Sequence, residues 1–271
     1  MAQQKTNKKT GSAPYPTKII RPEEGNIAGI YSAIQGEGTM VGERQLFIRL
    51  GGCPFRCHYC DTPEALIPAQ FCRIEDPPGE RKFRKIPNPV SPEILAEAVK
   101  PFLESGSHHR SVVLTGGEPL WQAGYLKTAL PALRAFGRKI YLETAGAHVD
   151  ELKSILSLVD IVSMDMKPPS STGMKPLWAQ HREFLKVALP KQVMVKVVVT
   201  RATSLFDLEQ VREIVSEVDR TIAVILRPLA PAWKAKKAPT PAQLYIWQGL
   251  LSEKLENVRV IPQCHKILGD L

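Results

Sequence analysis

The chain has 271 residues, of which 44% are hydrophobic, and a formal net charge of +9 at pH 7. A chain of this length can bury one sizeable core, and its sequence contains no apolar run of the roughly 18 residues that a membrane-spanning helix requires. The excess positive charge falls in residues 1–26, 80–85 and 234–237. Because no such apolar run is present, we expect no membrane association. The basic segments are typical of solvated tails and loops, so we also expect no direct binding to nucleic acid. The first residues lack the apolar segment of a signal peptide, which favours a cytoplasmic protein.

The N-terminal part of the chain divides into a tail and the start of a folded domain. Residues 1–26 are rich in Lys, Thr, Gln and Pro without any period, so we expect a mobile tail, followed by a single domain over residues 27–271. Residues 27–42 form a short extended piece that runs into a glycine-flanked loop, Ile34-Gln35-Gly36-Glu37-Gly38. Because this loop precedes the next strand by only a few residues, we expect Glu37 to face the site that the strand carries.

A cysteine-rich loop follows the apolar strand over residues 46–50. Cys53, Cys57 and Cys60 have the spacing C-x3-C-x2-C, with Tyr59 directly before the last cysteine. Thiolates at this spacing can bind three irons of a cubic [4Fe-4S] cluster and leave the fourth iron open for a reactant. Structural zinc remains an alternative, although zinc usually takes four ligands and no second cysteine pair follows. The odd number of cysteines makes disulfides a poorer explanation.

An insertion and then a regular alternation of strands and helices follow this loop. Residues 63–90 are rich in proline and charge with little helical or strand periodicity, and we interpret them as an insertion. Ser91 and Pro92 then mark the start of a helix. Five further strands are predicted at residues 111–115, 139–142, 161–164, 193–199 and 222–226, and helices near residues 121–136, 149–157, 176–188, 205–217 and 240–256. Six βα units of this kind predict an α/β fold with a parallel sheet.

Polar residues and glycines follow the predicted strands at their carboxyl ends. The segments are Gly51-Gly52-Cys53, Thr115-Gly116-Gly117-Glu118-Pro119, Glu143-Thr144-Ala145-Gly146, Asp165-Met166-Lys167-Pro168, Thr200-Arg201 and Arg227-Pro228-Leu229. In barrel-like α/β folds, chemistry collects at these ends. Turns also occur there, so Thr200 and Arg227 are equally well explained as loop residues. Consecutive glycines such as Gly116 and Gly117 favour a functional site, because they let the backbone approach a ligand closely.

Three of these features resemble the radical S-adenosylmethionine (SAM) superfamily: the cysteine loop with Tyr59, the Gly-Gly-Glu-Pro segment, and Asp165-x-Lys167. The resemblance implies a partial (β/α)6 barrel in which Cys53, Cys57 and Cys60 hold a [4Fe-4S] cluster. The methionine amino and carboxylate groups of SAM would chelate the open iron, and reduction of the cluster would cleave SAM to a 5′-deoxyadenosyl radical. The residues that would bind SAM are Tyr59, Cys60, Asp61, Gly117, Glu118, Asp165, Met166 and Lys167.

A sharper resemblance, from residue 27 onward, is to the 7-carboxy-7-deazaguanine synthase family of queuosine and 7-deazapurine biosynthesis. It rests on Ile34-Gln35-Gly36-Glu37-Gly38, Phe47-Ile48-Arg49, Cys60-Asp61-Thr62, Thr115-Gly116-Gly117-Glu118-Pro119, Glu143-Thr144, Lys167-Pro168-Pro169-Ser170-Ser171 and Gln263-Cys264-His265-Lys266. The resemblance implies a lyase that contracts the ring of 6-carboxy-5,6,7,8-tetrahydropterin to 7-carboxy-7-deazaguanine. The deoxyadenosyl radical would take hydrogen from C6 of the substrate, ammonia would leave, and SAM would be regenerated.

The family resemblance also implies a substrate site, a magnesium site and partners. The substrate-binding residues would be Ile34, Gln35, Gly36, Glu37, Arg49, Thr115, Gln263, His265 and Leu271. Among these, Arg49 would grip the substrate carboxylate, and the terminal carboxylate of Leu271 would meet the pterin ring. Thr62 would be a Mg²⁺ ligand. A flavodoxin-like protein or a ferredoxin would donate the electron, and the protein would be a homodimer, as is typical of the family.

Two other functions remain open at this point. An activating enzyme that makes a glycyl radical on a partner protein shares the cysteine loop and Asp165-x-Lys167, but its chemistry does not require the Glu37 loop together with Arg49. A nucleic-acid-binding iron–sulfur or zinc module would concentrate charge on one face of the domain, whereas the charge outside the three basic segments is balanced.

The chain departs from the family in its long 63–90 insertion, in its Asp270-Leu271 end and in Cys264. We interpret Cys72 and Cys264 as ordinary thiols.

Overall fold

The computed structural model describes residues 21–104, 108–230 and 237–269. The predicted mobile tail falls mainly on residues 1–20, so most of it, like Leu271, lies outside the described residues. Gly25 forms a backbone bridge with Val90, and Asn26 is buried. The folded domain therefore includes Gly25 and Asn26, which we had assigned to the tail.

Ten strands in the described residues form one sheet. They are β1 (Ile27–Ile34), β2 (Arg44–Leu50), β3 (Phe71–Glu75), β4 (Phe83–Pro87), β5 (Ser111–Gly116), β6 (Lys139–Thr144), β7 (Ile161–Met166), β8 (Gln192–Val199), β9 (Ala223–Pro228) and β10 (Val258–Val260). Their order is β10-β9-β8-β7-β6-β5-β2-β1-β3-β4. Strands β2 and β5 to β10 pair in parallel, and β1 is antiparallel to β2. Because β4 and β10 stand at opposite ends of this order, the sheet is open and the barrel is partial.

Helices lie between the parallel strands and after the last of them. They are α1 (Pro92–Leu103), α2 (Ala123–Arg134), α3 (Val149–Ile155), α4 (Pro169–Thr172), α5 (Trp178–Ala188), α6 (Leu205–Val218), α7 (Pro241–Ser252) and α8 (Cys264–Leu268). The Ser91 side chain caps α1 by accepting from the Ile94 N–H, and Thr240 forms a capping box with Gln243 at α7. None of the helices in the described ranges is long and apolar enough to cross a membrane.

The two faces of the sheet bury different side chains. One face packs against α1, α2, α3, α5, α6 and α7 and forms the larger core. The other face, which we call the inner face, carries a second apolar cluster that includes Tyr31, Phe47, Val113, Tyr141 and Ile225. Since the helices cover the first face, the inner face and the carboxyl ends of the parallel strands are left to form a site.

The predicted α/β fold with six βα units is confirmed, because β2 and β5 to β9 are adjacent, parallel and each followed by a helix. The expectation of little strand periodicity in residues 63–90 is wrong. Strands β3 and β4 form a hairpin there, which extends the sheet beyond β1. Cys72 and Ile74 of β3 are buried, whereas Phe71 and Arg73 are exposed, and this two-residue alternation is obscured in the sequence by the surrounding prolines. Strand β10 and helix α8 were also not predicted.

Candidate active site

A cavity of about 470 Å³ opens at the carboxyl ends of the parallel strands. Most of the residues predicted to bind the cluster, SAM, magnesium or substrate line it. These are Ile34, Gln35, Gly36, Glu37, Arg49, Cys53, Cys57, Tyr59, Cys60, Asp61, Thr62, Thr115, Gly117, Glu118, Asp165, Lys167, Gln263 and His265. Met166 does not line it, because its side chain is buried in the core against the helices. Leu271 lies outside the described residues.

The three cysteines of the C-x3-C-x2-C loop line this cavity. Backbone hydrogen bonds shape the loop: the Gly52 N–H donates to the Ala65 oxygen at 2.9 Å, and the Cys60 N–H donates to the Cys57 oxygen at 3.1 Å. Burial raises the pKa of the Cys53 thiol to about 12 and also raises the pKa of Cys57 and of Cys60. As free thiols they are protonated at neutral pH, so binding iron as thiolates would release protons.

The donor set of the loop suits an iron–sulfur cluster. In residues 21–104, 108–230 and 237–269, no three His, Cys, Asp or Glu side chains converge on the position of a single ion. A cubic cluster does not require such convergence, because each cysteine binds a different iron. Three thiols facing one cavity therefore fit a cluster. Thr62, the predicted magnesium ligand, has its side chain hydrogen-bonded to that of Cys60.

The glycines after β5 let its backbone approach the cysteine loop. A Cβ on Gly117 would lie 2.1 Å from the Gly52 oxygen, and a Cβ on Gly116 would lie 2.1 Å from the Leu50 oxygen. The Gly117 N–H donates to the Leu50 oxygen at 2.9 Å, and the Glu118 N–H donates to the Gly52 oxygen at 3.0 Å. The two glycines thus fit the end of β5 against the end of β2, a packing role that adds to the ligand approach predicted from the sequence.

Glu118 ties the turn after β5 to the end of β6. Its buried carboxylate accepts hydrogen bonds from Thr144 Oγ1 at 2.6 Å, from the Ala145 N–H at 2.8 Å and from the Leu120 N–H at 3.1 Å. Three donors on one carboxylate fix its orientation. Glu118 therefore holds the shape of the segment that we predicted to bind SAM, in addition to lining the cavity.

Asp165 and Lys167, at the end of β7, form an ion pair of 2.5 Å inside the cavity. The Lys167 ammonium lies 5.3 Å from the centre of the Tyr59 ring, which places this pair next to the cysteine loop. Oδ1 of Asp165 is buried and has no hydrogen-bond partner among the described residues. This oxygen can therefore accept a hydrogen bond from a ligand hydroxyl.

His181 supports the backbone of this ion pair from α5. Its Nε2 accepts a hydrogen bond from the Lys167 main-chain N–H at 3.1 Å, and its Nδ1 donates to the Gly146 oxygen at 2.9 Å. Burial lowers the pKa of His181 to about 4, so the ring is neutral at pH 7 and these two bonds define its tautomer. Nothing in the sequence singles out His181, because a single histidine in an amphipathic helix does not reveal which strand ends it will contact.

Glu37 is the centre of a charged network in the same cavity. Its Oε2 lies 2.5 Å from Lys196 Nζ, and its Oε1 lies 3.6 Å from Arg227 Nε and 2.6 Å from Gln263 Nε2. Burial opposes ionisation, but Arg227 and Lys196 hold the pKa of Glu37 well below its usual value. Gln263 Nε2 also donates to Asp61 Oδ2 at 2.8 Å. Glu37 is therefore a fixed anion linked to the cysteine loop.

Gln35 and Thr115 meet at a carboxylate to which we had assigned no role. Gln35 Nε2 donates to Glu143 Oε1 at 3.1 Å, and Thr115 Oγ1 donates to Glu143 Oε2 at 2.8 Å. Gln35 Oε1 accepts from the Glu37 N–H at 3.0 Å. Glu143 thus joins the loop after β1 to the end of β5, and it adds an acceptor to the cavity wall.

Arg49 extends from β2 into the cavity and is oriented by a tyrosine. Its Nε and Nη2 donate to the Tyr31 hydroxyl at 3.0 Å and 2.6 Å. Tyr31 in turn stacks on Phe47, with ring centres 5.7 Å apart. This packing holds the guanidinium along the inner face.

The C-terminal segment, residues 261–269, docks on the loop after β1. The Cys264 N–H donates to the Gly36 oxygen at 2.9 Å, and the His265 ring packs so closely that a Cβ on Gly36 would lie 2.1 Å from its Nδ1. Lys266 Nζ lies 3.8 Å from Asp61 Oδ2. Together with the Gln263 contacts, these interactions make the C-terminal segment one wall of the cavity.

Comparison with known proteins assigns this arrangement to a family. A family model described as the radical SAM superfamily matches residues 47–194. A protein of Geobacter sulfurreducens named 7-carboxy-7-deazaguanine synthase is 40% identical to this chain, over 89% of this chain and 96% of that protein. The chain belongs to the 7-carboxy-7-deazaguanine synthase family. A relative of the same name from Methanopyrus kandleri is 32% identical over 92% of this chain and 95% of its own length.

A solved structure agrees with this 7-carboxy-7-deazaguanine synthase fold. The crystal structure of QueE from Escherichia coli covers 89% of this chain and 94% of its own, with a TM-score of 0.58 and 22% identity. Membership in the 7-carboxy-7-deazaguanine synthase family makes this chain a radical SAM enzyme. It also decides between the two metal interpretations of the cysteine loop in favour of a [4Fe-4S] cluster that works with SAM.

Two further cavity residues, Lys196 and Arg227, occupy positions in the sequence that could have indicated a role in the site. Lys196 is the one charged residue of β8, and a lysine inside an apolar strand must find a partner if it is buried. Arg227 stands at the end of β9, and we had explained it equally well as a loop residue. The structure buries Arg227 beside Glu37, and its Nε has no hydrogen-bond partner among the described residues.

Proposed function

We propose that this chain converts 6-carboxy-5,6,7,8-tetrahydropterin to 7-carboxy-7-deazaguanine, with loss of ammonia, by radical SAM ring contraction in queuosine and 7-deazapurine biosynthesis. The observation that carries this proposal is that one cavity gathers the cysteine loop, the Asp165–Lys167 pair and the Glu37 network. The first two suit a cluster and its cofactor, and the third suits a heterocycle with N–H donors. The names of the two relatives support the same reaction.

The cofactor residues in this proposal are those of the cysteine loop and of the ends of β5 and β7. Cys53, Cys57 and Cys60 would hold the [4Fe-4S] cluster, which with SAM supplies the 5′-deoxyadenosyl radical for hydrogen abstraction from C6 of the substrate. The free Oδ1 of Asp165 suits a ribose hydroxyl, and the Lys167 ammonium suits a carboxylate. Tyr59, Asp61, Gly117 and Glu118 complete the walls of the SAM site.

The substrate residues supply acceptors on one side and a guanidinium on the other. Glu37 and Glu143 would accept hydrogen bonds from the amino and ring N–H groups of the pterin, and Arg49 would bind its carboxylate. Because Lys196 and Arg227 already hold Glu37 ionised, substrate binding requires no proton transfer at this residue. Ile34, Gln35, Gly36, Thr115, Gln263 and His265 would enclose the ring.

The C-terminal segment would exclude water from the reacting carbon. Gln263 and His265 contact the loop after β1, so the segment covers the proposed pterin position from one side. The proposal extends this wall to Leu271, whose terminal carboxylate would be a further acceptor for the pterin ring. A radical intermediate needs such exclusion, because quenching by solvent or protein groups would end turnover.

Several finer features of the reaction belong to the proposal. Thr62 would be a ligand of Mg²⁺, which usually keeps several waters and takes only one or two protein oxygens. A flavodoxin-like protein or a ferredoxin would reduce the cluster. The protein would act as a homodimer in the cytoplasm, without direct contact to nucleic acid.

The proposed function is tested by anaerobic incubation of the iron-loaded protein with SAM, a reductant, Mg²⁺ and 6-carboxy-5,6,7,8-tetrahydropterin. Mass spectrometry should detect 7-carboxy-7-deazaguanine, and omission of the pterin should abolish this product. SAM cleavage without a deazapurine product, in the presence of the pterin, would retain the superfamily and contradict the reaction. That result would favour the alternative function, an activating enzyme that acts on a partner protein.

A further inference from the structure

Two arginines flank a glycine in one row of the sheet. In the register of β1, Gly29 is paired with Arg49 of β2 on one side and with Arg73 of β3 on the other. Neighbouring strands lie about 4.8 Å apart, so the backbones of the two arginines are separated by about 10 Å, and Gly29 adds no side chain of its own to this gap. The ring of Tyr31 borders the gap, 3.4 Å from the position of a Cβ on Gly29. Gly29 and the two arginines all line the cavity.

The alternation of β3 directs Arg73 to the inner face. Cys72 and Ile74 are buried in the core against the helices, so the residue between them must point to the opposite face. On that face its guanidinium lies 4.7 Å from the centre of the Phe83 ring of β4. Phe83 packs against the apolar cluster of the inner face, which fixes the ring beneath Arg73. Stacking of this kind orients a guanidinium and leaves its N–H donors available.

Arg49 and Arg73 differ from the other cations of the cavity. Lys167 pairs with Asp165, Lys196 and Arg227 lie beside Glu37, and Lys266 lies beside Asp61. Arg49 instead donates hydrogen bonds to the Tyr31 hydroxyl, with the Asp61 and Glu64 charges acting on it from beyond ion-pair distance. Among the described residues, the Arg73 guanidinium contacts the Phe83 ring and forms no ion pair.

The carboxylate nearest to Arg73 along β3 is already engaged. Glu75 accepts hydrogen bonds from the Ser32 N–H at 2.8 Å and from the Arg81 N–H at 3.0 Å. Among the described residues, the two cavity guanidiniums that form no ion pair within 4 Å are therefore the two that stand on either side of Gly29.

We propose that Arg73 is a second carboxylate-binding residue, which acts with Arg49 across the gap at Gly29 to hold the carboxylate of the substrate. This inference rests on the proposed function, because it concerns an anionic group on the pterin. Arg49 would bind the carboxylate from β2, and Arg73 would bind it from the β3–β4 hairpin. The hairpin in residues 63–90 would then determine specificity for a carboxylated over an uncharged pterin.

Gly29 gives the proposal an independent test. A Cβ at this position would meet its nearest atoms at 3.4 Å and 3.5 Å, which is ordinary contact, so alanine is tolerated by the folded protein. The added methyl would nevertheless enter the space between the backbones of the two arginines, against the Tyr31 ring and the Arg73 backbone oxygen. Loss of substrate binding in Gly29→Ala without loss of stability would therefore report on that space.

The experiment compares Arg73→Gln, Arg73→Lys and Gly29→Ala with Arg84→Gln, each loaded with iron and assayed anaerobically. Arg84 is the matched control because it lies on the same hairpin and pairs with Asp76 in an exposed salt bridge. For Arg73→Gln we expect a KM for 6-carboxy-5,6,7,8-tetrahydropterin about 10-fold higher or more, which is the effect of one charge-assisted hydrogen bond. Arg73→Lys should restore part of this loss, Gly29→Ala should also raise KM, and Arg84→Gln should behave as the parent.

A second ligand separates carboxylate recognition from a general loss of binding. Inhibition by 6-methyl-5,6,7,8-tetrahydropterin, which lacks the carboxylate, should be unchanged in Arg73→Gln. A KM within twofold of the parent, or an equal loss for the methyl compound, would overturn the inference. Failure of the parent protein to form a deazapurine would instead contradict the proposed function, so the two failures are distinguishable.

Discussion

The carboxylate of Glu37 and the ammonium of Lys196 lie 2.5 Å apart in the cavity, although the two residues are 159 positions apart in the chain. We predict that Lys196→Met destabilises the protein by about 3 kcal/mol, because it removes a partner from a buried carboxylate. The double variant Glu37→Gln/Lys196→Met should be more stable than Lys196→Met alone. Denaturant unfolding of the iron-free proteins measures both free energies. A double variant that is no more stable than Lys196→Met would contradict the pairing of the two groups.

Removal of any one cysteine of the C-x3-C-x2-C loop should abolish the cluster. Cys53→Ala, Cys57→Ala and Cys60→Ala should each lose the visible absorbance of the cluster and all turnover, because the loop supplies its protein ligands. Cys264→Ala is the matched control, since Cys264 contacts Gly36 only through its backbone. Equal loss of iron in Cys264→Ala would mean that the ligand set is misassigned.

His181 should make stability depend on pH. Its pKa in the folded protein, about 4, lies below the ordinary value of 6.5, so the unfolded chain binds more protons between these values. The contribution of His181 to the free energy of unfolding should therefore be complete above pH 6.5 and should decrease as the pH is lowered toward 4. At pH 5 the decrease should be about 2 kcal/mol. His181→Gln can keep a donor and an acceptor but does not titrate, so its unfolding free energy should change less between pH 7 and pH 5. Equal pH dependence in the two proteins would contradict the neutral, buried histidine.

Gly36→Ala should displace the C-terminal segment. The new methyl would collide with His265, whose Nδ1 would be 2.1 Å and whose backbone nitrogen would be 2.5 Å away. We expect kcat/KM to fall at least 10-fold while cluster content and SAM binding stay unchanged, because only the proposed substrate side is disturbed. Gly249→Ala, where a Cβ meets nothing within 4 Å, is the control. A parent-like kcat/KM in Gly36→Ala would show that the segment is not needed for turnover.

Thr62→Val should weaken the dependence of activity on Mg²⁺, since valine keeps the shape of threonine but has no ligand oxygen. The Thr62 side chain is also hydrogen-bonded to that of Cys60, so the comparison must be made at equal cluster content. Titration of activity with MgCl₂ measures the effect. An unchanged titration curve at matched iron content would remove Thr62 from the magnesium site.

The parts of this protein that the sequence predicted are those with a local signal. The apolar strands and amphipathic helices have clear periods, and the C-x3-C-x2-C spacing needs no knowledge of the fold. The hairpin was missed because β3 and β4 are only five residues each, contain charged residues among their apolar ones and lie between prolines. Short strands of this kind become stable only through pairing, and here β3 pairs with β1, a long-range event, while β4 pairs with β3.

The contacts within the cavity could not be predicted either, because they also depend on long-range pairing of strands. Lys196 and Glu37, or His181 and Lys167, meet through the order of the strands, and nothing near them in the chain identifies the partner. The family resemblance placed Met166 in the SAM site together with its neighbours Asp165 and Lys167, although alternate residues of a strand face opposite sides. That alternation places Met166 in the core while Asp165 and Lys167 face the cavity.

The cavity is built partly by the core of parallel strands and partly by segments attached at the margins of that core. The cysteine loop and the ends of β5 and β7 belong to the repeating core of parallel strands, whereas β1, the β3–β4 hairpin and residues 261–269 are attached at its margins. Changes to the attached segments can therefore alter the contacts on one side of the bound molecule, while Arg49, Thr115 and Glu143 on the core strands stay in place. An engineer who wishes to redirect this enzyme to another anionic heterocycle should diversify the hairpin and the C-terminal segment, and leave the six-strand core as it is.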